Sequence, residues 1–104
     1  MSTNDRVIRT AMDVVLTWGP ERMVSEEDRL LIQHPELSPE QVQEALAEAH
    51  RVMRESESLA PGIKRGLLNS GHKELRRRWP WLTKDQAERA INQGLYYHWR
   101  DTGE

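Results

Sequence analysis

The sequence contains no cysteine and no phenylalanine. Without cysteine the chain can form neither disulfides nor thiolate metal sites, which is compatible with a reducing cytoplasm. No uninterrupted apolar run approaches the roughly 20 residues that a membrane-spanning helix needs. The N-terminus is polar up to Val7 and does not match a signal peptide. We therefore expect a cytoplasmic protein with no membrane partner.

Alternation of apolar and polar residues with a period of two is also missing, so we expect no β-sheet. Apolar residues instead recur at helical spacing. The predicted segments of the first half are a helix over 5–18 stopped by Gly19-Pro20, a short helix from Ser25 to His34, and a helix from Pro39 to about Glu55. The predicted segments of the second half are a connection over 56–62, an apolar turn with Ile63, Leu67 and Leu68, a short helix over 72–78, and a last helix from Lys84 to about Trp99.

One sequence pattern occurs twice, forty-five residues apart. The two copies are His34-Pro35-Glu36-Leu37-Ser38-Pro39-Glu40-Gln41 and Trp79-Pro80-Trp81-Leu82-Thr83-Lys84-Asp85-Gln86. In each copy the proline ends the preceding helix, because proline has no amide hydrogen and disfavours helical angles in the residue before it. The hydroxyl residue, Ser38 or Thr83, then matches the N-cap of the next helix, and the glutamine three positions later completes a capping box.

The repeat and the helical spacing together predict the fold class. We expect an all-α protein, a compact bundle of about five helices containing two repeated helix–turn–helix units. The chain is expected to form a single all-helical domain over residues 1–104, with repeat units at about 25–54 and 71–99. Leu37 and Leu82 are expected to occupy equivalent buried positions, and Trp18 and Trp79 to pack between helices.

The polar residues show no recognisable catalytic or metal-binding pattern. The four histidines are His34, His50, His72 and His98, and no two of them have the helical spacing of zinc ligands. There is no glycine-rich phosphate loop. We therefore expect no enzymatic activity, no metal and no cofactor.

A net charge of -2 conceals opposite charges in the two parts of the chain. Positions 1–63 carry six Arg or Lys against twelve Asp or Glu, whereas positions 64–104 carry nine against five. Such asymmetry is typical of a polar partner surface or of head-to-tail self-association, so a homodimer is an open alternative. A chance distribution of charge on helical surfaces is the other alternative.

A basic run in the second repeat unit is the strongest indication of a partner. A helix–turn–helix protein places its second helix in the major groove while nearby cations contact phosphates. Arg, Asn and Gln are the residue types that read base edges. The candidate nucleic-acid-binding residues are Lys73, Arg76, Arg77, Arg78, Lys84, Arg89, Asn92 and Gln93. Asp85 and Glu88 on the same helix count against contact with DNA.

A protein-interaction or inhibitor module is the alternative function. The predicted helix 39–55 carries glutamates at four-residue spacing, and such an acidic face would dock on a basic surface or mimic a nucleic acid. Trp81 occupies a turn position where the first copy has the polar Glu36, so we expect Trp81 to be the more exposed tryptophan. One of Tyr96 and Tyr97 must face outward. The candidate residues of this alternative are Glu40, Glu44, Glu48, Trp81 and Tyr96.

The segment from Ser25 to Ala49 resembles the closing part of a known family. The residues that carry the resemblance are Glu27-Asp28, Leu31, His34-Pro35, Leu37-Ser38, Glu40-Gln41-Val42 and Ala45-Leu46. The family is a small prokaryotic one of uncharacterised function, often associated with toxin–antitoxin loci. This sequence lacks the family's Gly- and Arg-rich, strand-forming first half. The resemblance implies a helix–turn–helix shape and a regulatory or antitoxin-like role.

Overall fold

A computed structural model describes residues 5–17, 23–64 and 71–102. Within these residues the chain forms helices and turns and no strand, which confirms the predicted all-α class. The helices are α1 (Asp5–Leu16), α2 (Glu26–Gln33), α3 (Pro39–Lys64), α4 (Gly71–Arg78) and α5 (Lys84–Thr102). The predictions for Trp18, for the stop at Gly19-Pro20, and for Leu67 and Leu68 lie outside the described residues.

The helices group into two compact units, Met1–His50 and Arg51–Glu104. The first unit contains α1, α2 and the beginning of α3, and the second contains the remainder of α3, α4 and α5. In each unit a helix of 8 residues is followed by a turn and a longer helix. The single domain expected over residues 1–104 stays a prediction.

The two turns have the same backbone hydrogen bonds. In the first turn the amide of His34 donates to the carbonyl of Leu30 at 2.9 Å, and the amide of Leu37 donates to the carbonyl of His34 at 3.2 Å. In the second turn the residues forty-five positions later form both bonds, at 2.8 and 3.0 Å. The predicted repeat of a helix–turn–helix unit is therefore present in the structure.

The predicted capping boxes begin α3 and α5. The hydroxyl of Ser38 accepts the amide hydrogen of Gln41 at 3.1 Å, and the Gln41 side-chain oxygen accepts the amide hydrogen of Ser38 at 2.8 Å. Thr83 and Gln86 form the same two bonds at 3.1 and 3.3 Å. Ser25 caps α2 in one direction, accepting an amide hydrogen at 3.2 Å. A cap contributes about 1 kcal/mol, which is enough to fix where a helix begins.

The side chains in the two turns are not buried equally. Leu82 is buried as predicted, whereas Leu37 is only half-buried. The exposure expected of Trp81 is wrong, because this side chain is 9% exposed. Glu36, its counterpart, keeps 66% of its side chain exposed. The difference follows from the two side chains: burial of the apolar indole stabilises the fold, whereas burial of a carboxylate would cost its hydration free energy.

α3 ends at Lys64 and not near Glu55, so the predicted connection over 56–62 is wrong. Pro61 lies inside the helix, in its last turn, where the missing amide hydrogen removes a single intrahelical bond. Burial holds this end of the helix in place. Ala60 is fully buried, and Ile63 lies close enough to Gly71 that a Cβ atom there would be 2.7 Å from the Ile63 Cδ1.

Each unit also contains a third helical segment, α1 in the first and the later part of α3 in the second. At the same forty-five-residue separation, three of the six buried residues of α1 have a buried counterpart in α3. The matched buried pairs are Val7 with Val52, Ala11 with Ser56, and Val15 with Ala60. The sequence does not reveal this correspondence. The paired residues are all small and buried, but only one pair has the same residue type at both positions.

Candidate nucleic-acid interface

The predicted basic run lies at the end of α4, where Arg76, Arg77 and Arg78 are all exposed, and Lys73 is exposed one turn earlier. Cations in the last turn also favour the helix itself, since the carbonyl end of a helix carries partial negative charge. An arginine in this turn can therefore stabilise the helix as well as bind nucleic acid. The contacts of each arginine side chain show which of these roles it can fill.

Two of the three arginines share one carboxylate. Arg77 donates two hydrogen bonds to Glu74, one of them from Nε at 3.2 Å. Arg78 places Nε 3.4 Å from the same carboxylate and donates from Nη1 to Glu55 of α3 at 2.6 Å. Arg78 therefore connects α4 to α3, whereas the bonds of Arg77 to Glu74 stay within α4 and Arg77 keeps 70% of its side chain exposed.

Arg76 has a different role. Its Nε donates to the carbonyl of Leu82 at 3.3 Å, which ties the end of α4 to the turn before α5. A guanidinium has five N–H donors, and this bond uses one of them. Replacing Arg76 would affect the turn as well as any ligand.

The pKa of Glu74 is held below its ordinary value by the hydrogen bond from Arg77, with the nearby charges of Arg77 and Arg78 acting in the same direction. The same bond raises the pKa of Arg77. Both groups therefore carry full charge at neutral pH, and the α4 carboxylate offsets part of the positive charge of the run.

On α5 the predicted cations lie in exposed pairs. Lys84 Nζ is 4.0 Å from Glu88 Oε1, and Arg89 Nη1 is 3.8 Å from Asp85 Oδ2. Exposed ion pairs at these distances contribute about 0–1 kcal/mol. The cations can therefore exchange these carboxylates for another anion at little cost.

Asn92 and Gln93, the other residues predicted to contact base edges, also lie on α5. Asn92 is exposed, whereas Gln93 is half-buried and so presents less of its amide. Residues Arg89, Asn92, Tyr96 and Trp99 follow each other at three- and four-residue spacing and form one exposed stripe. The structure thus brings Arg89 and Asn92 together on one face.

Aromatic rings extend this stripe toward the end of α5. Tyr96 is 47% exposed and Trp99 is 54% exposed, with ring centroids 6.3 Å apart. Tyr97 is half-buried beneath the guanidinium of Arg100, which lies 4.9 Å from its ring centroid. The outward position expected for one of the two tyrosines is therefore that of Tyr96. Trp99 is exposed and His98 half-buried, so neither belongs fully to the core.

The acidic face of the alternative function is only partly exposed. Glu40 and Glu44 are exposed on the first turns of α3, whereas Glu48 is half-buried. Trp81 does not match a partner surface because its indole is buried. Tyr96 remains accessible.

Two of the described histidines, His34 and His50, contact side chains of neighbouring helices. The hydroxyl of Thr10 donates to a backbone carbonyl at 3.1 Å, so its oxygen can accept from Nε2 of the buried His34, 2.9 Å away. His50 Nε2 lies 2.8 Å from Glu26 Oε1 and joins α3 to α2. Within the described residues no group of three or more histidines and carboxylates is arranged to hold a metal ion.

An open groove in the second unit contains two cations that the sequence did not single out. Arg51 and Arg54 of α3 line it together with Arg78 and Trp79 at the end of α4, and the space has a volume of about 490 Å³. Residues 51, 54, 55 and 58 recur at helical spacing, which is the one feature of the sequence that places them on a common face. The sequence offered no reason to pair that face with α4, because the two helices meet through residues more than twenty positions apart, such as Glu55 and Arg78.

Comparisons of the chain with protein-family models, with curated proteins and with solved structures gave no significant match. The resemblance to the toxin–antitoxin-associated family therefore stays a prediction. Of the helices in residues 5–17, 23–64 and 71–102, none has the length and apolar character needed to cross a membrane.

Proposed function

We propose that this protein is a non-enzymatic regulatory or adaptor protein whose C-terminal helix–turn–helix unit binds nucleic acid. The observation that carries the proposal is the exposed face of α5, where Arg89 and Asn92 lie one turn apart. In a helix–turn–helix protein this second helix enters the major groove. A guanidinium and an amide on that face supply the donors that base edges accept.

The cations around this face would provide most of the affinity. Lys73, Arg77, Lys84 and Arg89 are all exposed, and the ion pairs of the last three are with carboxylates on their own helices. A nucleic-acid phosphate accepts bidentate hydrogen bonds from arginine as a carboxylate does, and its binding in addition releases condensed counterions, which favours the exchange. Asp85 and Glu88 reduce the net charge of α5, so we expect moderate affinity unless two copies bind together.

A salt titration of paired variants tests the proposal. The double variant Lys84→Gln/Arg89→Gln removes two cations of the proposed face, and Arg6→Gln/Arg9→Gln removes two exposed cations from α1 as a matched control. Each lost phosphate contact should flatten the dependence of log K on log salt by about 0.9. The slope of log K against log salt should therefore be shallower by up to about 1.8 in the α5 variant and unchanged in the control.

Equal slopes for both double variants would overturn the assignment of α5. Asn92→Ala provides a separate test of base contact. It should change the order of preference among duplex sequences and leave the salt slope unchanged, because base contacts specify and phosphate contacts position.

Protein binding is the second candidate, and the exposed aromatic pair favours it. Tyr96 and Trp99 belong to the residue types that dominate protein interfaces. The exposed Glu40 and Glu44 offer a separate acidic surface for a basic partner, or for mimicry of a nucleic acid. A partner that binds through these surfaces would be lost on Tyr96→Ala or Glu44→Lys, and kept in the Lys84→Gln/Arg89→Gln variant.

The proposed place of action is the cytoplasm, because a cysteine-free chain gains nothing from an oxidising compartment. A regulatory role is supported by the resemblance of the first repeat unit to the toxin–antitoxin-associated family.

A further inference from the structure

The groove beside α4 combines three arginines with one indole. Arg51, Arg54 and Arg78 line it, and Trp79 and Ser58 complete the contact surface with Glu55. α3 supplies residues at positions 51, 54, 55 and 58, which form one helical face. The lining comes entirely from the second unit.

The charge of the groove is not balanced by its own residues. Three guanidinium groups and one carboxylate, that of Glu55, line the groove. Arg78 binds Glu55 at 2.6 Å and also lies 3.4 Å from Glu74, a carboxylate outside the lining. The lining and Glu74 together therefore carry a surplus of one positive charge. A phosphate group, which is anionic and accepts paired hydrogen bonds from guanidinium, is the natural ligand for such a surplus.

The indole of Trp79 restricts the ligand of the groove further. Its backbone amide donates to the carbonyl of Leu75 at 2.8 Å, which holds the residue at the end of α4, and its side chain is half-buried. An aromatic ring next to arginines binds a planar base by stacking. Bases in a duplex are already stacked on one another, so only an unpaired base can offer its face.

We propose that this groove binds one nucleotide of a single-stranded nucleic acid, with the base stacked on Trp79 and the adjacent phosphate held by Arg51 and Arg54. The inference rests on the proposed function, because it assigns the nucleic-acid class and a further site to the same unit. Its volume of about 490 Å³ lies in the range of small-molecule sites.

The experiment is a fluorescence-anisotropy titration of the full chain at low salt. The probes are a labelled oligothymidylate of about ten nucleotides, which lies within known single-strand site sizes, and a duplex of the same length. Trp79→Leu should weaken binding of the single strand by on the order of 5- to 150-fold, the loss of one stacked base. Trp79→Tyr keeps an aromatic ring and should retain most of the binding.

The arginines give a test that does not depend on the folding of a tryptophan variant. Arg51 and Arg54 are exposed, so Arg51→Gln/Arg54→Gln should fold normally. For the single strand, the slope of log K against log salt should become shallower by about 0.7 for each lost phosphate contact. The Arg6→Gln/Arg9→Gln control should keep the wild-type slope.

The outcomes separate the two proposals. Duplex binding by the wild type, with single-strand binding unchanged in Arg51→Gln/Arg54→Gln and in Trp79→Leu, would overturn the groove and leave the proposed function standing. Wild-type protein that binds neither probe would overturn both. Loss of single-strand binding in both groove variants, with duplex binding kept, would establish the groove as a separate site.

Discussion

Gly94 of α5 lies directly against the backbone of Ser56 in α3. A Cβ atom at position 94 would be 2.7 Å from the carbonyl carbon of Ser56 and 2.9 Å from the amide nitrogen of the next residue. Ser56 is itself buried and uses its hydroxyl to bond the Val52 carbonyl at 2.8 Å. The second unit therefore depends on two small residues where α3 and α5 meet.

We expect Gly94→Ala to destabilise the protein by about 1–3 kcal/mol, the usual cost of adding volume at a packed contact. Alanine favours a helix by about 1 kcal/mol over glycine, but the atoms it would meet belong to backbone and cannot move aside like a flexible side chain. Urea denaturation followed by circular dichroism measures the change. Ala47→Gly, at an exposed position of α3, is the control for helix propensity. A Gly94→Ala variant that is more stable than wild type would show that the helices do not meet so closely.

The two capping boxes predict matched effects. Ser38→Ala and Thr83→Ala should each lower the free energy of unfolding by about 0.5–2 kcal/mol, because each leaves a helix amide without its acceptor. Thr83→Ser keeps the hydroxyl and should cost little. Urea titrations of the three variants make the comparison. No loss on Thr83→Ala would mean that the cap does not hold the start of α5.

The burial of α3 predicts opposite behaviour for two residues two positions apart. Leu46 is buried, and Leu46→Ala should cost about 2–5 kcal/mol through lost apolar contact and the cavity left behind. Glu44 is exposed, and Glu44→Ala should change the stability by less than about 0.5 kcal/mol. Thermal melts that rank the two variants in the reverse order would contradict the orientation of α3.

The Glu74 carboxylate predicts a dependence on pH. Its pKa is lowered in the folded protein by Arg77, so the pair stabilises the fold above the ordinary glutamate pKa of about 4.3. This contribution is lost as the pH falls through the lower, folded pKa. A carbon-detected NMR titration should show Glu74 protonating below the ordinary glutamate range. In Arg77→Gln the pKa should rise toward the ordinary value, and an unchanged titration curve would exclude the bond.

Local chemistry made much of the fold predictable. Proline, a hydroxyl cap and a glutamine three residues later act over a single turn, so the starts of α3 and α5 and the repeat between them could be read directly from the sequence. The exposed positions of Arg77, Arg89 and Asn92 were also predictable, since polar residues follow the outward face of an amphipathic helix.

Features set by distant contacts were not predictable. Pro61 favours a break, but burial of Ala60 and the contact of Ile63 with Gly71 keep α3 helical beyond it. Trp81 was expected to be exposed because its counterpart is polar, yet its own apolar surface decides its position. The groove of Arg51, Arg54 and Trp79 depends on contact between α3 and the end of α4, residues distant in sequence, so the sequence did not predict it.

Binding of the wild-type protein to duplex DNA of random sequence tests the proposed function most directly. The measurement is an anisotropy titration at low salt, carried to tens of micromolar protein, a range in which non-specific binders already engage. We expect saturable binding that weakens steeply with added salt and loses slope in the Lys84→Gln/Arg89→Gln variant. No binding over this range would contradict nucleic-acid binding by the C-terminal unit and leave the protein-partner function as the better explanation of its exposed surfaces.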